Sequence, residues 1–162
     1  RGHARGPRLR HRPARAAEVC DKAMTLLNAI GKHHIEARGD WSQALTWGNF
    51  NRLQQVVVNL LQNAIDVTEA GNKIEVEVRI DADDVVVAVE DSGPGVSVEE
   101  RARIFEPFYT TKPVGMGTGL GLAISHSIVQ EHGGQLHVGD ASLGGARFEM
   151  RLPRIREGSD GK

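Results

Sequence analysis

A single cysteine stands among 162 residues, so Cys20 has no internal disulfide partner and nothing points to an oxidising compartment. The thiol reads as buried or inert. No apolar run approaches the roughly 18 residues of a membrane span, and no apolar stretch of the signal-peptide kind follows the arginine-rich start. Phenylalanine, tryptophan and tyrosine make up 4% of the chain, and none lies in residues 1–15. The six arginines there (Arg1, Arg5, Arg8, Arg10, Arg12, Arg15) therefore have no aromatic platform on which bases would stack. In the remainder, 14 basic residues face 21 acidic ones, a balance that repels phosphate. No nucleic-acid partner is expected. Residues 1–15 read as a basic linker and 154–162 as a polar tail, and a chain that opens on Arg rather than Met reads as a fragment.

What is present suffices for one domain, over residues 16–153, because 40% apolar content in a chain of this length can bury a core unaided. Val19, Ala23, Met24, Leu26 and Leu27 recur at helical spacing across 16–29, and 33–39 reads as a short strand. The clearest helix follows Asn49, read as its cap, with Phe50, Leu53, Val57, Leu60, Leu61 and Ala64 on one face. Ile74, Val76, Val78 and Ile80 alternate with Glu75, Glu77 and Arg79, the pattern of a half-buried strand. The valine-rich run 85–89 predicts a strand covered on both sides. Ser97 and Glu100 form a capping box for a short helix reaching Phe105, and a longer helix over 119–132 is stopped by Gly133 and Gly134. Residues 135–139 and 146–152 close the series as strands. Segregated strands and helices of this kind point to an α/β chain of the α+β sort, a two-layer sandwich.

Two glycine-rich stretches carry the chemistry. Glu90-Asp91-Ser92-Gly93-Pro94-Gly95 closes the valine run, and Gly117-Thr118-Gly119-Leu120-Gly121-Leu122 opens the last helix. A carboxylate at a strand end can accept a hydrogen bond from the amino group of adenine, and glycines let backbone amides approach phosphates with no Cβ in the way. Either stretch alone is an ordinary turn; their order and spacing suggest a nucleotide site. A third element lies on the Asn49 helix, where Asn59, Asn63 and Asp66 fall on one stripe beside the apolar face. Such a stripe by itself is a solvated flank. Beside phosphates, an amide oxygen there would serve as a ligand for a hard cation that keeps most of its waters.

Together these elements resemble the ATP-binding catalytic domain of sensor histidine kinases, within the superfamily that also holds DNA gyrase and mismatch-repair ATPases. Residues Asn59 to Ala64 look like its N box, Asp91 to Gly95 its first glycine box, Phe105-Glu106-Pro107-Phe108 its F box, and Gly117 to Gly121 its second glycine box. The run from Phe105 to Gly115 is most similar to nitrogen-regulatory and dicarboxylate sensor kinases. The resemblance covers about residues 16–153 and implies a mixed, mostly antiparallel sheet packed under three helices, with a short ATP lid. It implies binding of ATP or ADP with Mg²⁺. In that frame Asn63 ligates the metal, Asn59 sits near metal and phosphates, and Asp91 accepts the adenine amino group. Gly93 and Gly95 shape the base pocket. Gly117, Thr118, Gly119, Leu120 and Gly121 close the lid and turn the amino end of the next helix toward the phosphates. Lys112 reaches the γ-phosphate, and Phe105 and Phe108 hold the lid, a role compatible with their being core residues.

The ATPase relatives carry a glutamate in the slot of Asn59, and an asparagine cannot act as a general base at neutral pH. Hydrolysis should be slow and the γ-phosphoryl group kept for a histidine. The family's acceptor lies in an upstream helical dimerisation region, and none of the seven histidines here (His3, His11, His33, His34, His126, His132, His137) has its His-Glu-x-x-Asn/Thr-Pro context. The implied partners are that dimerisation and phosphoacceptor domain and, through the full-length kinase, a response regulator. Residues 1–15 then read as a remnant of the upstream region. The expected location is cytoplasmic, in a parent compatible with attachment to the inner membrane. Two positions depart from the pattern. Ala146 stands where many relatives have a threonine beside the acidic residue, and Asp66 where many have a lysine or arginine. A self-sufficient ATPase, a non-catalytic nucleotide-sensing module and a serine kinase of the anti-sigma type stay open, disfavoured respectively by Asn59, by the complete motif set and by the Phe105 to Gly115 sequence.

Overall fold

The computed structural model describes residues 11–30, 33–39, 41, 43–109 and 119–156. Eleven elements follow in chain order: β1 (Arg12–Arg15), α1 (Ala16–Ile30), β2 (His34–Arg38), β3 (Leu45–Gly48), α2 (Phe50–Val67), β4 (Lys73–Asp81), β5 (Asp84–Glu90), α3 (Val98–Arg101), α4 (Gly121–Glu131), β6 (Gln135–Asp140) and β7 (Ala146–Pro153). Five strands form one sheet in the order β2-β4-β5-β7-β6. Its β2–β4 pairing is parallel, and the other three pairings are antiparallel. Helices α1, α2 and α4 cover one face, so the expected sandwich with a mixed, mostly antiparallel sheet under three helices is what forms. No helix among the described residues is long and apolar enough to cross a membrane.

Side-chain alternation decides which sheet face is core. Ile74, Val76 and Val78 of β4, Val85, Val87 and Val89 of β5 and Phe148, Met150 and Leu152 of β7 pack against Leu53, Val56, Val57, Leu60 and Leu61 of α2. Each such side chain contributes about 1.5–3 kcal/mol by leaving water. Val86 and Ala88 point the other way and are nonetheless fully buried. The valine run is covered on both sides, as its composition predicts, but only one cover is made of helices. Over the outer face lie the charged chains of neighbouring strands: Val86 sits in register between Arg79 and Arg151, and Ala88 between Glu77 and Glu149. Arginine stems shield the small residues while their guanidinium groups pair with acids, Arg147 with Glu77 at 2.8 Å and Arg151 with Asp81 at 2.7 Å.

β1, β3, α3 and α4 differ from the sequence reading; α3 ends at Arg101 instead of reaching Phe105. Arg12–Arg15, counted there within the linker, pairs antiparallel with β3 as a second, two-stranded sheet. That small sheet is tied to the end of β7, where Thr46 Oγ1 donates to the Pro153 carbonyl at 2.7 Å and the Ile155 amide to that of Leu45 at 2.9 Å. Four-residue strands carry too few positions for alternation to show. Helix α4 begins at Gly121 rather than 119, because Gly119 has φ +75°, outside the right-handed helical region. The caps form as expected: Asn49 Oδ1 accepts from the Arg52 amide at 2.9 Å, and Ser97 and Glu100 complete their reciprocal box.

Candidate functional site

Helix α2 sets the long axis of the site. Its core face is held against the sheet, so the stripe Asn59, Asn63, Asp66 lies along the helix flank, half-buried. Asn59 Nδ2 donates to the Gly121 carbonyl at 3.3 Å and to Ser125 Oγ at 3.2 Å. A carbonyl oxygen only accepts, so the amide nitrogen must face α4, and Oδ1 turns away and takes no hydrogen bond from the described residues. Ser125, fully buried, was not singled out in the sequence, where a serine within a helix gives no signal of the partner across from it. One turn on, the Asn63 side chain makes no hydrogen bond with any described residue. An amide oxygen at that place, left without a partner among the described residues, suits a hydrated divalent cation. Asp66 accepts from Gln62 Nε2 at 3.1 Å, an i,i+4 contact along the helix.

Strand β5 delivers Asp91 to the same side of the sheet as Val85, Val87 and Val89. The residue is 1% exposed. Its Oδ1 accepts from the Gly93 amide at 2.9 Å and the Ala146 amide at 3.0 Å, while Oδ2 takes no hydrogen bond from the described residues. Burial raises its pKa above the ordinary carboxylate value, and the Ala146 and Gly93 amides pull it partly back. One oxygen is thus anchored by the backbone and the other left to accept. The position where many relatives were expected to carry a threonine hydroxyl contributes its main-chain N–H instead. Gly145 presses on this carboxylate so closely that a Cβ there would collide with Asp91 Oδ1 and stand 2.7 Å from the Gly93 nitrogen. Gly145 went unremarked in the sequence, although Gly144-Gly145 just before a strand was the available signal. Gly95 has φ +80° and faces Gly145.

The F box splits into two roles. Phe105 is half-buried, stacked on the His126 ring at 5.2 Å and edge-on to Phe148 at 6.4 Å, so it packs on the core as its apolar character suggests. Phe108 does not: it is 72% exposed and holds φ +69°. Its amide donates to the Gly119 carbonyl at 2.7 Å, which brings the F box and the second glycine box together. Gly121 begins α4 beside Asn59, after Leu120 at φ −107°. Lys112, Gly117 and Thr118 lie outside the described residues. Asn59, Asn63, Asp91, Gly93, Gly95, Phe108, Gly119 and Gly121 are therefore arranged around α2, the end of β5 and the start of α4.

Residues 48–156 match the family described as histidine kinase-, DNA gyrase B-, and HSP90-like ATPase. The sensor histidine kinase CpxA of Escherichia coli strain K12 is 41% identical over 143 residues, covering 85% of this chain and 30% of CpxA, so the chain spans under a third of that relative. The catalytic domain of histidine kinase ThkA, in a nucleotide-free form, superposes with TM-score 0.80 at 29% identity, over 90% of this chain and 96% of that one. Full-length ShkA, solved in complex with AMPPNP, gives TM-score 0.81 at 29% identity, over 96% of this chain and 34% of ShkA. The motif order, the sheet, the anchored carboxylate at the end of its central strand and these likenesses agree: the chain belongs to the histidine kinase-, DNA gyrase B- and HSP90-like ATPase family, as an ATP-binding catalytic domain of the sensor histidine kinases.

Proposed function

We propose that this domain binds ATP with Mg²⁺ and transfers the γ-phosphoryl group to a histidine carried by a separate dimerisation domain of its parent kinase. The observation that carries the reading is Asp91, a buried carboxylate with one oxygen fixed by two amides and the other unbonded among the described residues, at the end of the central strand of a sheet whose covering helix presents Asn59 and Asn63. Asp91 accepts from the adenine amino group, and Gly93 and Gly95 bound the base. Asn63 holds the metal through its amide oxygen, with Asn59 Oδ1 beside it. Mg²⁺, when bound, offsets phosphate charge and holds the triphosphate in one geometry. Gly119, Leu120 and Gly121, with Gly117, Thr118 and Lys112 from outside the described residues, serve the phosphates. Asp66, acidic and already bonded to Gln62, is a poor phosphate ligand and borders the site.

Transfer needs little covalent help from this chain. The bond from phosphorus to the bridging oxygen breaks as the phosphorus–nitrogen bond forms, and ADP leaves; positioning and charge stabilisation are the protein's share. Asn59, with its nitrogen committed to Gly121 and Ser125, cannot take a proton from water, which argues against a self-sufficient ATPase. Residues 16–153 form the catalytic unit together with the paired strand Arg12–Arg15 and with Arg154 and Ile155, whose amides bond to Asp83 and Leu45; the residues before β1 belong to the linker from the dimerisation region and those after 156 to a polar tail. The unit works in the cytoplasm, and a response regulator is the onward partner through the full-length kinase. The test is incubation with γ-labelled ATP and the dimerisation domain of the parent kinase, supplied separately. Acid-labile, base-stable label on that partner alone is expected. Stoichiometric label on this chain, or rapid phosphate release with no partner present, would overturn the proposal.

A further inference from the structure

Two carboxylates stand side by side at the end of β5 and face opposite ways. Asp91 points to the helix side; Glu90, 3% exposed, points to the outer face of the sheet. Nothing in the nucleotide site uses Glu90, yet both of its carboxylate oxygens are bonded on that face. Its Oε1 accepts from Ser142 Oγ at 2.9 Å and from the Ser142 amide at 3.2 Å. Its Oε2 takes Arg147 Nη1 at 2.7 Å and lies 3.4 Å from Arg38 Nη2. Burial opposes its charge, but the bonds from Arg147 and Ser142 outweigh burial and hold its pKa below the ordinary carboxylate value.

Ser142 belongs to the turn between β6 and β7, and that turn reaches round the strand end. Ala141 donates to the Gly145 carbonyl at 2.9 Å and Gly144 to that of Ala141 at 3.0 Å, which makes residues 141–145 one closed unit. Its far end is bound to the inner carboxylate residue: the Gly145 amide donates to the Asp91 carbonyl at 3.1 Å, and the next amide, Ala146, reaches Asp91 Oδ1 at 3.0 Å. We propose that Glu90 is a positioning residue for base recognition: by fixing Ser142 on the outer face, it holds the 141–145 turn so that Gly145 and the Ala146 amide close on Asp91 from the inner face. The hydrogen bonds from Ser142 to Glu90 on the outer face thereby set the orientation of the carboxylate that meets adenine. This rests on the nucleotide-site reading of Asp91 proposed above.

The role predicts that the acceptor oxygen, more than the negative charge, matters for binding. Glu90→Gln keeps an acceptor for Ser142 but loses the arginine pairs, so it should lower Tm while leaving ADP affinity within about two-fold of wild type. Glu90→Leu removes both and should bind ADP roughly ten-fold more weakly, with a matching loss of preference for ADP over GDP. Ser142→Ala, at an exposed turn position that leaves folding intact, should fall between them, and Ser142→Thr should restore binding. Calorimetric titration of ADP and GDP, with Tm measured on the same samples, reads all of these. If Glu90→Leu fails to fold, Ser142→Ala and Ser142→Thr carry the test alone. A folded Ser142→Ala with wild-type ADP affinity and base preference would overturn the inference, as would affinities that simply follow Tm across the series. A wild-type chain that binds no adenine nucleotide would instead overturn the nucleotide reading itself, and this role with it.

Discussion

The amide of Phe108 donates to the carbonyl oxygen of Gly119 across 2.7 Å, and both residues hold positive φ, +69° and +75°. A phenylalanine in the left-handed region is costly, and here its ring is turned out to solvent, so the local backbone conformation is kept for something other than packing. The bond joins the two points of the chain that bracket residues 109–118, the stretch expected to cover the phosphates.

Gly119 is the weak point of that join. A Cβ on it would stand 2.5 Å from the Phe108 carbonyl carbon and 2.6 Å from its Cα, backbone atoms that have nowhere to go. Gly119→Ala adds left-handed strain to that clash, together about 1–3 kcal/mol or more. The expected result is ATP affinity reduced roughly ten-fold or more, together with a fall in Tm of roughly 2–10 °C. Titration calorimetry and thermal melting on one preparation check it; an unaltered ATP affinity would detach Gly119 from the site.

Metal dependence isolates Asn63. Its side-chain amide makes no hydrogen bond with the described residues, so truncation breaks no hydrogen bond among them. Asn63→Ala should weaken ATP binding in the presence of Mg²⁺ more than in its absence. Equal losses under both conditions would remove Asn63 from the metal site.

Base choice isolates Asp91. Its free oxygen matches an amino group and opposes the carbonyl that guanine presents at the same place, acceptor against acceptor. A buried acceptor left unpaired costs about 1–3 kcal/mol, so ATP should be preferred over GTP by roughly ten-fold or more. Asp91→Ala should erase most ADP binding. Competition titrations that show GTP bound as well as ATP would contradict the pocket.

His132 makes stability depend on pH. Its Nδ1 lies 2.8 Å from the Ile128 carbonyl, an acceptor, and its Nε2 lies 3.1 Å from the Asn49 amide, a donor. Only the neutral ring with its proton on Nδ1 satisfies both. His11 stacks on it at 4.8 Å, and Glu131 and Arg52 are the charged neighbours. Burial is the largest influence and lowers the folded pKa below the ordinary 6.5, the Ile128 bond opposing it. At low pH the unfolded chain therefore binds the extra proton first. The contribution is intact above the unfolded value and is lost as pH falls through the folded one. Melting curves from pH 8 to 5 should show Tm dropping with acid, and His132→Gln should flatten that drop; superimposable profiles would refute the assignment.

The amino-acid order alone determined what repeats along one element or sits in one motif. Period 3.6 drew the α2 stripe of Asn59 and Asn63, period two drew the faces of β4 and β7, and Asn49, Ser97 and Glu100 announced their caps through chemistry confined to four residues. Family resemblance added the roles of Asp91 and the glycine boxes. Only the tertiary structure could decide pairings between residues far apart in the chain. Ser125 turns the amide of Asn59 from 66 residues away, Ala146 anchors Asp91 from 55, and His132 caps Asn49 from 83. The two-stranded sheet of β1 and β3 and the charged cover over Val86 and Ala88 belong to the same class. Local spacing encodes which side chains share a face; which faces meet is set by the packing of the whole sheet, and no single segment holds that information.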